Sequence, residues 1–95
     1  MLVTLFYNHE TNELLNYENA LAKEREQTKI DYTFEDFISE EYNVEDLFKY
    51  FKKYEDVQDA IADLKRDYEE TVNQKAEDEL DRCQSGTWTA HEVEI

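Results

Sequence analysis

Apolar positions recur along this chain with two periods, and the changes of period divide it into elements. Residues 1–8, Met-Leu-Val-Thr-Leu-Phe-Tyr-Asn, are a run of β-branched, aliphatic and aromatic side chains that stops at a polar cluster, the pattern of a buried or half-buried strand. Residues 9–13 form a polar connection in which Asn12 is best suited to a left-handed turn conformation, and Leu14 and Leu15 then offer the stub of a second strand. From Asn16, an N-cap candidate, Tyr17, Ala20 and Leu21 repeat at helical spacing in a segment rich in Ala, Glu, Lys and Gln. This predicts a helix to about Gln27 and a connector over 28–32.

Two shorter helices follow. Thr33 with Asp36 makes a capping-box-like start ahead of Phe34, Phe37 and Ile38, with an end near Glu41. Asn43 with Asp46 repeats the arrangement ahead of Leu47, Phe48, Tyr50 and Phe51. The segment 56–83 has no Gly or Pro, and Val57, Ala60, Ile61, Leu64 and Tyr68 keep a 3-and-4 spacing, which predicts one long helix of roughly 40 Å. The stripe continues as Val72, Ala76 and Leu80 at steps of four, which drift by about 40° each. Either the helix bends near Asn73-Gln74, or its second half packs on something different, such as a second copy of the chain. Gly86 stands where a C-terminal cap is expected, and 87–95 reads as a closing strand. Trp88 falls on one parity of that strand and Val93 and Ile95 on the other, so a bulge or burial of both faces is expected. The whole is an α+β domain: a small sheet of two or three strands, from the N- and C-terminal segments, packed on helices that include one long C-terminal helix.

Ninety-five residues fit a single domain, 1–95. Twenty-five acidic residues against ten basic ones give a net charge of -15, which works against direct binding to nucleic acid or an anionic membrane. Thirteen aromatic rings supply the burial that so polar a chain needs to fold. The lone Cys83 excludes an intramolecular disulfide and is expected as a small half-buried residue. No long apolar run or leader-like segment appears, which points to the cytoplasm, that of a host cell included.

Candidate chemistry is sparse. A single glycine excludes phosphate loops, the dinucleotide fingerprint and the nucleophile elbow, each of which needs at least two. Neither Ser39 nor Ser85 has a neighbouring histidine, and His9 and His91 lack metal-ligand spacing, although pairing of the terminal strands could bring them together. No calcium loop is present, and no cofactor or enzymatic activity is expected.

One feature stands out. Asp56, Asp59, Asp63, Asp67, Glu70, Glu77 and Asp81 fall within an arc of about 80° on the long helix, roughly 130° from its apolar stripe. With Gln74 filling the one uncharged step, successive positions of the row rise by about 4.5 to 6 Å, comparable to the succession of phosphates along a nucleic-acid strand. A solvated helix face is the plain account of this row. The sharper one is a surface for a basic, nucleic-acid-binding protein partner, bound in a salt-sensitive way. The charge balance is -2 over residues 1–30 and -13 over 31–95, so the acidity belongs to the helical part.

Residues 2–7, His9-Glu10-Thr11-Asn12-Glu13, Asn16-Tyr17-Glu18-Asn19-Ala20 and Tyr32-Thr33-Phe34-Glu35-Asp36-Phe37-Ile38 together resemble the short acidic proteins of phages and conjugative elements of Gram-positive bacteria. That resemblance implies a DNA mimic that blocks a nucleic-acid-binding protein of a host defence system. The alternative is a structural or regulatory homo-oligomer, a homodimer in the simplest case, in which the long helix buries Val72, Ala76 and Leu80 against its copy.

Overall fold

A computed structural model describes all residues, Met1–Ile95. Strand β1 (Leu2–Asn8) is the centre of a three-stranded antiparallel sheet, flanked by β2 (Glu13–Leu15) and β3 (Trp88–Glu94) in the order β2-β1-β3. Asn12 takes the left-handed conformation at φ 58° and closes the β1–β2 hairpin, held by the Tyr7 hydroxyl on its Oδ1 at 2.8 Å. Asn8 is buried between the strands, and its Oδ1 accepts from the Glu10 and Thr11 amides.

Four helices complete the α+β fold: α1 (Tyr17–Asp31), α2 (Phe34–Glu41), α3 (Val44–Lys52) and α4 (Val57–Arg82). Each starts at a side chain that accepts from an otherwise orphaned amide: Asn16, Thr33 in a full capping box with Asp36, Asn43 and Asp56. Helix α1 runs four residues past the expected end at Gln27, and 28–31 is helix, not connector. Little apolar surface holds this last turn. Arg25 and Lys29 instead reach Glu69 on α4 at 3.7 and 2.9 Å, and the Thr28 hydroxyl donates to the Glu24 carbonyl.

Helix α4 is unbroken from Val57 to Arg82, and the drift of its apolar stripe is met by a change of packing surface along it. Ala60, Leu64, Tyr68, Val72, Ala76 and Leu80 are all buried, and five steps of four residues turn the buried side through roughly 200°. Tyr68 and Val72 pack with Phe37 of α2, whereas Leu80 packs with Phe6, Ala20 and Trp88 of the sheet and α1. The chain itself thus supplies the second packing surface. Val72, Ala76 and Leu80 are 0, 0 and 1% exposed within one chain and leave no area for a copy. At the other end Val57, expected in the core stripe, is exposed because α3 covers α4 only partly.

Two further expectations are corrected. The left-handed cap of α4 falls on Cys83, at φ 50°, and Gly86, at φ 78°, serves the turn into β3 instead. Strand β3 pairs one-to-one with β1 from Trp88 opposite Asn8 to Glu94 opposite Leu2, without a bulge. Trp88 faces the helices, and Val93 sits opposite Val3 on the other face, which no helix covers. The molecule is long and narrow, 55 × 23 × 18 Å, with a radius of gyration of 17.3 Å against about 12 Å for a compact chain of this length. No helix is long and apolar enough to cross a membrane.

Candidate partner-binding surface

The acidic row lies on α4, and the helix geometry keeps it on one side over about 37 Å from Asp56 to Asp81. Asp56 is the N-cap, its Oδ1 accepting from the Gln58 amide at 2.9 Å, and Asp59 in the first turn meets the positive end of the helix dipole. Asp63 is half-buried, takes a hydrogen bond from the Tyr54 hydroxyl and pairs with Arg66 at 3.3 Å. Glu77, also half-buried, accepts from Asn73 at 2.9 Å. Asp59, Asp67, Glu70 and Asp81 are exposed, and their carboxylates make no ion pair or hydrogen bond.

The cations of α4 do little to relieve the row. Arg66 reaches Asp63 alone, and Lys75 sits over the Tyr32 ring, 4.6 Å from its centre. The helix's other ion-paired carboxylate, Glu69, is engaged by α1 and lies outside the row.

Tyrosines edge the row, a feature that sequence reasoning missed. The Tyr54 hydroxyl has its pKa pushed up chiefly by donating to Asp63. Tyr42 is raised by burial first and by the Asp67 charge next, and Tyr17 by burial and then by Glu77 and Asp81. Beside the row's midpoint, α2 and α4 enclose an open groove of about 460 Å³ in which the Phe37 and Tyr42 rings face Glu41, Asp67 and Glu70. The signal available in the sequence was composition alone, seven tyrosines in 95 residues, because their placement depends on how α1, α2 and α3 meet α4.

The remaining candidates stay apart. His9 lies opposite Thr87, and its Nε2 is within hydrogen-bond reach of the Thr89 hydroxyl, while His91 lies opposite Leu5. Strand pairing therefore holds the two histidines about four rungs, or roughly 13 Å, apart. No group of three or more His, Cys, Asp or Glu side chains is arranged to hold a metal ion. A smaller cleft of about 190 Å³ lies between α1 and the sheet, lined by Asn8, Lys23, Glu24, Gln27 and Trp88 among others. There the Trp88 indole donates to Glu24 at 2.7 Å, and burial raises the Glu24 carboxyl above its usual range despite that bond.

Comparison with known protein families, curated proteins and solved structures finds no match to this chain.

Proposed function

We propose that this is a non-enzymatic acidic binding protein that occupies the nucleic-acid groove of a basic partner, as a DNA mimic inhibiting a nucleic-acid-binding protein of a host defence system. The observation that carries the reading is the set of four exposed carboxylates, Asp59, Asp67, Glu70 and Asp81, unpaired along a rigid helix of 26 residues. Like charges at i,i+3 and i,i+4 along the row, Asp67 and Glu70 among the unpaired ones, each cost the helix a few tenths of a kcal/mol, a penalty that a cationic partner would reverse. From Asp56 to Glu70 the row rises by about 4.5 to 6 Å per carboxylate, before a step of about 10.5 Å across the uncharged Gln74, and that run of five suits a surface shaped to follow phosphates. A net charge of -15 would speed encounter with such a partner at low salt.

Affinity capture from the native host in low and high salt tests this reading. A nucleic-acid-binding protein should be retained at low salt, be released as salt rises, and be displaced by duplex DNA of about one helical turn. Replacing Asp59, Asp67 and Glu70 together by Lys should abolish capture while leaving the circular dichroism spectrum unchanged. Recovery of the same partner by that variant would remove the row from the interface. Capture that duplex DNA cannot compete away would remove the mimicry.

A further inference from the structure

Helix α1 and the sheet do not close fully on one another, and the chemistry of the cleft between them, about 190 Å³ in volume, differs from that of the open surface. Asn8 and Trp88 line it from the sheet, opposite one another in the β1–β3 register and only 6 and 2% exposed. Asn8 uses one half of its amide. Its Oδ1 accepts from the Glu10 and Thr11 amides, whereas its Nδ2 donates to no group of the chain. A polar side chain so deeply buried is almost always fully paired, so a spare donor at the wall of a cavity calls for an acceptor from outside the chain.

Glu24 brings the opposite character from α1. The Trp88 indole donates to its Oε2 at 2.7 Å, which leaves Oε1 free. No cation neutralises this carboxylate, because Lys23 beside it is engaged by Glu13, while Glu10 and Glu26 add negative charge at the rim. Burial holds the Glu24 carboxyl above its usual range, a strain that an added N–H donor would relieve. The cleft thus offers one donor and one acceptor, between apolar walls from Ile30 and Trp88.

Size and charge narrow the ligand. A cavity of about 150 Å³ takes a single benzene ring, so this one takes one substituted ring and little more. The acidic rim disfavours phosphates and carboxylates. An amino group to meet Glu24, beside a ring acceptor to meet Asn8, is the base-pairing edge of an aminopyrimidine, and carboxylates take the amino group of cytosine in this way when proteins read bases. We infer that the cleft between α1 and the sheet binds a neutral nitrogen heterocycle of the aminopyrimidine class, as a free base, its amino group donating to Glu24 and its ring acceptor meeting Asn8 Nδ2. No residue of the cleft belongs to the acidic row, so this site stands or falls independently of the partner proposed above.

Trp88 is the only tryptophan, and its indole N–H gives a single resonance located at the site. Titrating the ¹⁵N-labelled protein with cytosine to about 10 mM should move that resonance along a saturable curve, with a Kd on the order of 1 mM, ordinary for so small a ligand. Cytidine monophosphate, the same base carrying a phosphate that the rim repels, should bind about tenfold more weakly or worse. Glu24→Gln should weaken cytosine by about tenfold or more, because its one oxygen stays with the indole and its amide N–H groups then face the ligand's amino group. Asn8→Asp keeps an oxygen for the Glu10 and Thr11 amides, removes the donor and should weaken cytosine comparably. Circular dichroism checks that each variant is folded, and Glu24→Gln, which buries no new charge, decides the matter alone if Asn8→Asp unfolds. An indole resonance that cytosine leaves unmoved would overturn the proposal. A saturable shift that Glu24→Gln leaves unchanged, or that cytidine monophosphate matches in affinity, would overturn it equally, by showing a contact that does not use the carboxylate of the cleft.

Discussion

At the scale of single residues, the half-buried Glu24 shows how burial and a hydrogen bond compete at the edge of the core. Its carboxylate is partly withdrawn from water and meets the Trp88 indole N–H, while Lys23 beside it is occupied by Glu13. Burial outweighs that hydrogen bond, so the folded pKa lies above the unfolded one and the folded protein holds this proton more tightly. The penalty for ionising Glu24 is absent below the unfolded pKa, grows as pH rises through the folded one, and is complete at neutral pH. Glu24→Gln keeps an acceptor for Trp88 and removes the charge, so it should raise the melting temperature at pH 7. Partial solvation keeps the gain small, on the order of 2 °C. Melting curves at pH 7 and pH 4 check this: the gain should shrink or vanish at the lower pH, and a gain equal at both would show that charge is not its source. Several residues with a single local role were legible in the sequence: Asn12 in the turn, and Asn16, Thr33 and Asn43 as caps. Gly86 was legible as a left-handed residue but not in its place, because the chain turns twice after α4. The first turn falls on Cys83, tied by its amide to the Glu79 carbonyl, and the second on Gly86, after Ser85 has met the Glu79 carboxylate.

At the scale of elements, the boundaries that sequence periodicity missed are those set by contacts between elements. The last turn of α1 has no apolar period to announce it, and its ion pairs with Glu69 join residues 40 and 44 positions apart. The drifting stripe of α4 was legible, yet its meaning was not, since steps of four fit either a second chain or two different surfaces of the same chain. The fold uses the latter, with Phe37 at one end and Phe6, Ala20 and Trp88 at the other. The energetic weights follow from this. Leu80→Ala empties a site in contact with the sheet and α1, and should lower stability by about 2–5 kcal/mol, a large part of the ~5–15 kcal/mol typical of a domain. Phe48 on α3 is 64% exposed under the Lys52 ammonium, and Phe48→Ala should change stability by about 0.5 kcal/mol or less, although its bulk is larger. Urea titrations of both variants would show the ranking. A reversed ranking would mean that α3 is held by contacts beyond those of the single chain.

At the scale of the whole molecule, shape and charge act together. Only 11 residues are buried, in clusters strung along a helix that spans most of a 55 Å body, so the surface is large for the core beneath it. The acidic row was legible as a periodicity, but its three engaged members were not: Asp56 caps the helix, and the Tyr54 bond to Asp63 and the half-burial of Glu77 depend on neighbouring elements. Among the side chains there are four ion pairs, against an excess of fifteen negative charges, and all four are at least partly solvated. Each such pair contributes about 0–1 kcal/mol and weakens with salt, which pulls stability down as ionic strength rises. The unpaired carboxylates repel one another over longer distances, an effect that the extended unfolded chain relieves and that salt screens, which pushes stability up. With the excess so far above the number of pairs, the second effect should win. The melting temperature of the dilute monomer should therefore rise by several degrees between about 20 and 500 mM NaCl. Sodium chloride, not sulfate, is the right salt, because sulfate also strengthens apolar burial and would raise the midpoint for an unrelated reason. A midpoint that fell with added chloride would mean that the ion pairs, the clamp of Arg25 and Lys29 on Glu69 foremost, outweigh the collective repulsion.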